Sequence, residues 1–316
     1  MKTTIKRLFA LALIGCSIFS LAFSVSASDA TGAMNGAMRG DATSVGADES
    51  LAEQVEKLLP NSSPEQRLRL LEKAAVVGLD SAELANVTLS TAEQAILNGS
   101  ASIEKPVVLT DQKAILTAPG IGTRATTIVA GVAMPDYALW PKIYKQERSD
   151  WCSAATIQTV LKYIGAASPA QSTIMNYWKS IGYTYPDLPL VRNYLNARLP
   201  SSYVNYTQYI YAGDQTKFNQ SLKYSVENYQ PMVLLMRNTS AYENYQTNWP
   251  YTTNGHFCIC SGLLTWANNQ YFIGDPYYFS SYVPGAGTAG DHNKTWTKLN
   301  KVIRNRFGSG QERIVF

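Results

Sequence analysis

Once its first residues are past, the chain has no apolar run near the roughly 18 residues a bilayer crossing requires, so nothing after the N-terminus is expected to span a membrane. It has no glycine-rich phosphate loop, and its Lys and Arg residues are scattered, which argues against nucleotide and nucleic-acid partners. No cofactor is expected. Histidine is almost missing: of 316 residues only His256 and His292 carry an imidazole, so an enzyme needing such a base has little choice. Cysteine is scarce too, with four in the chain. Cys16 lies in the leading segment, and the odd remainder of Cys152, Cys258 and Cys260 leaves at least one thiol free. Cys258 and Cys260 share one face of a short apolar run, where a bridge would distort the strand; they read as small core residues. Zinc held by these two and His256 would crowd its ligands along one strand without a distant partner pair, so no metal is expected.

The sharpest absence is aromatic. No Phe, Trp or Tyr occurs from Ser28 to Asp136, whereas 32 of the 35 aromatics lie from Tyr137 onward. Charge breaks at the same place: residues 28–133 hold 8 basic and 13 acidic side chains, a net of −5, and residues 134–316 hold 16 and 10, a net of +6. Two coincident breaks mark a domain boundary near Met134.

What is present at the N-terminus reads as a secretory signal over residues 1–27. Lys2, Lys6 and Arg7 precede an apolar core from Leu8 to Phe23, and Val25, Ser26 and Ala27 form a small-residue cleavage site. The chain is therefore expected to be secreted. A lipid anchor at Cys16 is the lesser reading, because the apolar run continues beyond that cysteine. Residues 28–46, rich in Gly, Ala, Ser and Asp, cannot bury a core and are expected to be disordered. Helices are expected at 49–59, 64–77 and 91–98, with Ser63, Pro64 and Gln66 making a good helix start. These short helices have too little core to stand alone. Residues 117–133, rich in Gly, Thr and Ala, read as a linker or extended joint, so 28–133 forms an acidic helical segment tethered to the basic half.

In the basic half, apolar residues recur at helical spacing through Ala155, Ile157, Val160, Leu161 and Ile164, with Gly165 at the cap, which puts Cys152 at a helix N-terminus. The unpaired N–H groups and positive dipole end there favour an anion, hence a nucleophilic thiolate. Taken alone, such a cysteine also fits a small buried core residue. Six residues earlier stands Gln146, an amide donor able to fold back beside the sulfur and join the Cys152 N–H in holding an oxyanion. Further helices are expected at 171–181, 187–198 and 216–228, a buried strand at 231–236, and an aromatic loop at 242–251 as a candidate cleft lining or a packed loop. The run 255–264, opened by Gly255 and His256, reads as a buried strand, and 270–275 as the next, ended by Pro276. Hairpin pairing of the two brings Asp275 beside His256, where an aspartate holds the imidazole tautomer and stabilises the imidazolium. His292 falls in a polar, glycine-rich stretch and reads as exposed, with Asp291 a weaker rival to Asp275. Helices first and antiparallel strands after them indicate an α+β fold with the cysteine helix against the sheet.

The order Gln146, Cys152, His256, Asp275, with Trp151-Cys152 opening a helix, Gly255-His256-Phe257 opening a strand and Gly274-Asp275-Pro276-Tyr277 closing the next, resembles the papain-like cysteine peptidases. Within that group the motifs look most like those of the extracellular relatives of the bacteriocin-processing, double-glycine leader peptidases. The resemblance covers residues 135–316 and implies Cys152 as nucleophile, Gln146 as oxyanion donor, His256 as general base and acid, and Asp275 as its orienter. It implies a peptide or protein substrate cleaved through an acyl-enzyme. Ser153 departs from the Gly or Trp that many relatives carry after the cysteine, and no transporter or ATPase segment follows, so the leader-peptide substrate is not carried over. An inactive surface binding module, or a transamidase or cell-wall amidase using the same residues, stands as the alternative. The acidic segment, opposite in charge to the domain it precedes, is expected to act as an intramolecular inhibitor covering the cleft until the joint is cut.

Overall fold

The computed structural model describes residues 49–103, 127–129, 132–134, 138–264 and 268–316. The expected signal at 1–27 with Cys16, the stretch 28–46 and most of the joint at 117–133 lie outside them.

The acidic segment folds as α1 (Leu51–Leu58), α2 (Pro64–Val76) and α3 (Thr91–Leu97). All three open on a capping box, in which a serine (Ser50, Ser63 or Ser90) accepts from the N–H three residues on, and Glu53, Gln66 or Glu93 accepts from the serine N–H in return. The missing core is supplied by the basic half. Leu51, Val55, Leu59, Leu70, Leu71 and Ala74 share one cluster with Val204, Tyr211, Phe218, Tyr224 and Phe316.

Several polar contacts fix this docking, among them Gln66 Nε2 and Arg69 Nη1 donating to the Ser201 and Ser202 carbonyls, Arg192 paired with Glu49, and two buried joints. Gln54 works as a strand partner for the sheet's outermost strand: its Oε1 accepts from the Gln208 N–H at 2.7 Å and its Nε2 donates to the Gln208 carbonyl at 2.9 Å. Lys73 is wholly buried, and its Nζ donates to the carbonyls of Asn205 and Phe316, each at 2.7 Å, while lying 4.9 Å from the Phe316 ring centre. Burial pushes the Lys73 ammonium well below the ordinary lysine range. Gln54 and Lys73 thus meet residues 205–208 and Phe316, at the sheet edge away from His256 and Asp275, and bond to none of Gln146, Cys152, His256 and Asp275. Apolar burial, backbone groups of the edge strand and the Glu49–Arg192 ion pair set where residues 49–103 sit; the expected inhibitor role, which also involves residues outside the described ones, stays a proposal.

The basic half builds α4 (Cys152–Tyr163), α5 (Gln171–Ser180), α6 (Leu188–Asn196), β3 (Gln208–Ile210), α7 (Gln215–Glu227) and β4 (Met232–Asn238). It continues through α8 (Ala241–Thr247), β5 (Thr253–Leu264), β6 (Gln270–Gly274), β7 (Asp291–Lys294), α9 (Trp296–Phe307) and β8 (Arg313–Val315). Ahead of it, β1 (Thr127–Val129) and β2 (Val132–Met134) form a two-stranded antiparallel pair. The main sheet has six strands in the order β3-β8-β4-β5-β6-β7, each pair antiparallel. Strand alternation sends Val233, Leu235, Phe257 and Ile259 to the face covered by Ala154, Ile157, Val160 and Leu161 of α4. It sends Leu234, Met236, Cys258 and Cys260 to the face covered by Phe218 and Leu222 of α7 and by Leu299 and Ile303 of α9. The fold is α+β.

The structure adds β3, β7, α9 and β8 to the expected elements of the basic half and alters two of those expected. The strand begun at 231–236 runs on to Asn238, with a bulge against β5 between Met236 and Asn238. The expected loop at 242–251 begins as α8, because Ser240 and Glu243 form a capping box that the Asn and Tyr content obscures.

Gly262 marks a close crossing. At a bulge in β5 it pairs with Ala138, and a Cβ placed there would sit 2.1 Å from the Ala138 Cβ and 2.6 Å from its Cα. Since backbone would have to move, Gly262→Ala is expected to lower stability by about 1–3 kcal/mol, read as a fall in the urea midpoint at unchanged slope.

Candidate active site

Cys152 is the first residue of α4 and nearly buried. The preceding turn, closed by the Trp151 N–H donating to the Arg148 carbonyl at 3.1 Å, delivers the chain into the helix. No side chain caps that end and no acidic residue lies in the first turn, so the leading N–H groups point at whatever approaches the sulfur.

The segment before it is pinned from several sides. The Tyr144 N–H donates to Thr159 Oγ1 at 3.1 Å, the Glu147 N–H to Gln171 Oε1 at 2.9 Å, and Gln171 Nε2 to the Lys145 carbonyl at 2.9 Å. Gln146 itself is fully buried. Its N–H donates to the Pro276 carbonyl at 2.9 Å and its carbonyl accepts from the Tyr282 hydroxyl at 2.8 Å. Its side-chain Nε2 donates to the Arg148 carbonyl at 2.8 Å, using one of its two N–H bonds. The loop after β6 therefore holds Gln146 and presents Asp275 together.

His256 lies on β5 and Asp275 directly after β6, both fully buried. The hairpin expected from the sequence is present, in a register that pairs Ile259 with Gly274. His256 Nε2 lies 2.8 Å from Asp275 Oδ1. His256 Nδ1 is buried and bonded to no other side chain, and Cys152 helps raise the imidazole's proton affinity, so Nδ1 is the nitrogen left for the thiol.

Asp275 is surrounded by donors. Oδ1 also accepts from the Tyr277 N–H at 2.9 Å, while Oδ2 accepts from the Tyr251 hydroxyl at 2.6 Å and faces His292 Nε2 at 3.1 Å. Its own N–H donates to the Gly290 carbonyl at 2.7 Å. Gly290 has φ +70, and a Cβ there would meet the Phe279 ring at 2.5 Å, so only glycine lets β7 approach this closely.

Here the reading of His292 as exposed is corrected. It stands on β7, paired with Ile273, and its side chain is only 8% exposed. Asp291 pairs through its backbone with Gly274, and Asp275 is the carboxylate that meets both imidazoles. Tyr251, at the end of the expected aromatic loop, is likewise buried behind Asp275, whereas Tyr242 and Tyr245 on α8 are exposed.

Electrostatics follow the geometry. Burial opposes a charge on His256, but the Asp275 charge and hydrogen bond, aided by Cys152, outweigh it and raise the imidazole above its ordinary value. Burial works against the Asp275 carboxylate as well, and His256 and His292 overcome it, holding the carboxyl far below the usual range. Burial dominates at His292, lowering its pKa despite Asp275. Burial pushes Cys258 well above the ordinary thiol range and Cys260 up to about 12, so neither is a ready nucleophile. Among the described residues no group of His, Cys, Asp and Glu side chains is arranged to hold a metal ion, and no helix is long and apolar enough to cross a membrane.

A protein-family model described as the Peptidase_C39 like family matches residues 141–303, a span that holds Gln146, Cys152, His256 and Asp275. No curated protein and no solved structure matches the chain.

Proposed function

The chain belongs to the Peptidase_C39 like family, and from that premise we propose that it is a secreted, papain-like cysteine peptidase that hydrolyses peptide bonds through Cys152, His256 and Asp275. The observation that carries this reading is the 2.8 Å contact from Asp275 Oδ1 to His256 Nε2, fully buried, which leaves Nδ1 for the cysteine at the uncapped start of α4. His256 Nδ1 takes the Cys152 proton, and the raised imidazole basicity favours the thiolate and imidazolium pair. The sulfur attacks the scissile carbonyl carbon. The oxyanion formed accepts from the Cys152 N–H at the helix end and from the second Nε2 hydrogen of Gln146. When the intermediate collapses, the C–N bond breaks, the imidazolium gives its proton to the departing amine, and a thioester remains. Water, deprotonated by His256, then attacks the thioester and releases the acid and the free thiol.

The test is native alkylation of the full chain, with the modified residue located by mass spectrometry, followed by profiling on peptide libraries and purified peptidoglycan. Cys152 is expected to react with iodoacetamide faster than a free thiol in solution, and peptides to be cut. A Cys152 no more reactive than a free thiol would leave the binding-module alternative in its place, and release of cell-wall amides without peptide cleavage would leave the amidase alternative.

A further inference from the structure

Asp275 has more partners than the orientation of one imidazole requires. Oδ1 is taken by His256 and the Tyr277 N–H, and a second pair, Tyr251 and His292, is devoted to Oδ2. We propose that His292, together with Tyr251, is a positioning residue of the peptidase site, locking Asp275 Oδ2 so that Oδ1 stays aimed at His256. This rests on the peptidase reading above.

One carboxylate cannot balance two imidazolium ions in a dry site, and the surroundings divide the roles. His256 gains proton affinity from Asp275 and Cys152, whereas burial keeps His292 neutral. A neutral His292 bonded to a carboxylate must carry its hydrogen on Nε2 and donate it; its Nδ1 is buried without a partner, as that tautomer leaves it. The ring cannot turn freely. Trp249 meets it edge-on with centres 4.7 Å apart, and Tyr278 does so at 4.8 Å. Besides Asp275 and His256, the charged group facing His292 is Lys294 of β7, whose Nζ donates to the Asn248 carbonyl at 2.5 Å and lies 5.1 Å from the Trp249 ring centre. The Tyr251 hydroxyl completes the clamp, and burial with the adjacent carboxylate pushes its pKa well above the ordinary tyrosine range, so it remains a donor.

The test measures the rate of Cys152 alkylation by iodoacetamide against pH, with thermal unfolding alongside, for the full chain and its His292→Leu, His292→Gln and Tyr251→Phe variants. In the unaltered chain the rate rises as the thiolate and imidazolium pair forms and changes again as His256 loses its proton. If Asp275 loses its clamp it stabilises the imidazolium less, so the alkaline limb is expected to move to lower pH in His292→Leu and Tyr251→Phe. A shift of up to roughly one pH unit is expected, one unit being a tenfold change in how strongly Asp275 favours the imidazolium over the neutral ring. His292→Gln, which keeps an N–H donor, is expected to hold the limb near its original place. If His292 only fills space, every variant lowers the unfolding midpoint and none moves the limb, and that result overturns the proposal. Should His292→Leu fail to fold, Tyr251→Phe decides by the same criterion, since it removes a single hydroxyl. An unaltered chain with no such limbs would sink the peptidase reading and this one with it, which separates the two failures.

Discussion

Cys152→Ala is expected to bring peptide hydrolysis down to the uncatalysed background, the largest effect any single substitution should have on activity. Without sulfur no acyl-enzyme forms, and the remaining donors can only hold a substrate that nothing attacks. His256→Ala is expected to come close to the same loss, since it removes the base from the thiol and the acid from the leaving amine. Gln146→Ala should cost roughly 10² to 10³ in kcat, the usual consequence of losing one oxyanion donor, while the Cys152 N–H remains. Asp275→Asn should be milder than His256→Ala, because an amide oxygen can still accept from His256 Nε2. These are read as kcat and KM on whichever library peptide the unaltered chain cleaves best. If His292→Ala proved as damaging as His256→Ala, the base would have been assigned to the wrong imidazole.

The second large effect is on stability. Starting the chain at Met134 removes α1, α2 and α3, and with them part of the packing on Val204, Tyr211, Phe218, Tyr224 and Phe316. Five or six aliphatic side chains, each contributing about 1.5–3 kcal/mol when fully buried, amount to roughly the entire 5–15 kcal/mol by which a domain is held folded. The shortened chain is therefore expected to be unfolded or molten by near-UV circular dichroism, and inactive. Lys73→Met isolates one joint. It keeps much of the volume but takes this donor from the Asn205 and Phe316 carbonyls; Phe316 still accepts from the Thr207 N–H, so the expected cost is about 1–3 kcal/mol, chiefly for the Asn205 carbonyl. A shortened chain that folds and cuts peptides faster than the full one would support the inhibitor reading.

Local grammar was readable in the residues. The box formed by Ser63 and Gln66 was visible, the spacing from Ala155 to Ile164 put Cys152 at a helix start, and the hairpin register brought Asp275 to His256. His292 was not readable because Asp291, His292, Asn293 and Lys294 are all polar; β7 is a strand through pairing with β6, without any alternation of its own. Tyr251 escaped for a related reason, since its hydroxyl meets Asp275 24 residues along the chain and no local pattern encodes that. The docking of α1 and α2 is longer in range still. Lys73 reads as a solvated charge in a helix, and only the folded chain reveals two carbonyls and an aromatic wall waiting for it.

The Gln54 carboxamide, engaged with both backbone groups of Gln208, also bears on how separate molecules behave toward one another. β3 is the last strand of its sheet, and a bare strand edge is a template for another chain. Any protease that trimmed away α1 would uncover that edge on every molecule at once, and two such edges can pair antiparallel. Trimming at this end is thus expected to favour self-association, which keeping the N-terminal helices attached would prevent.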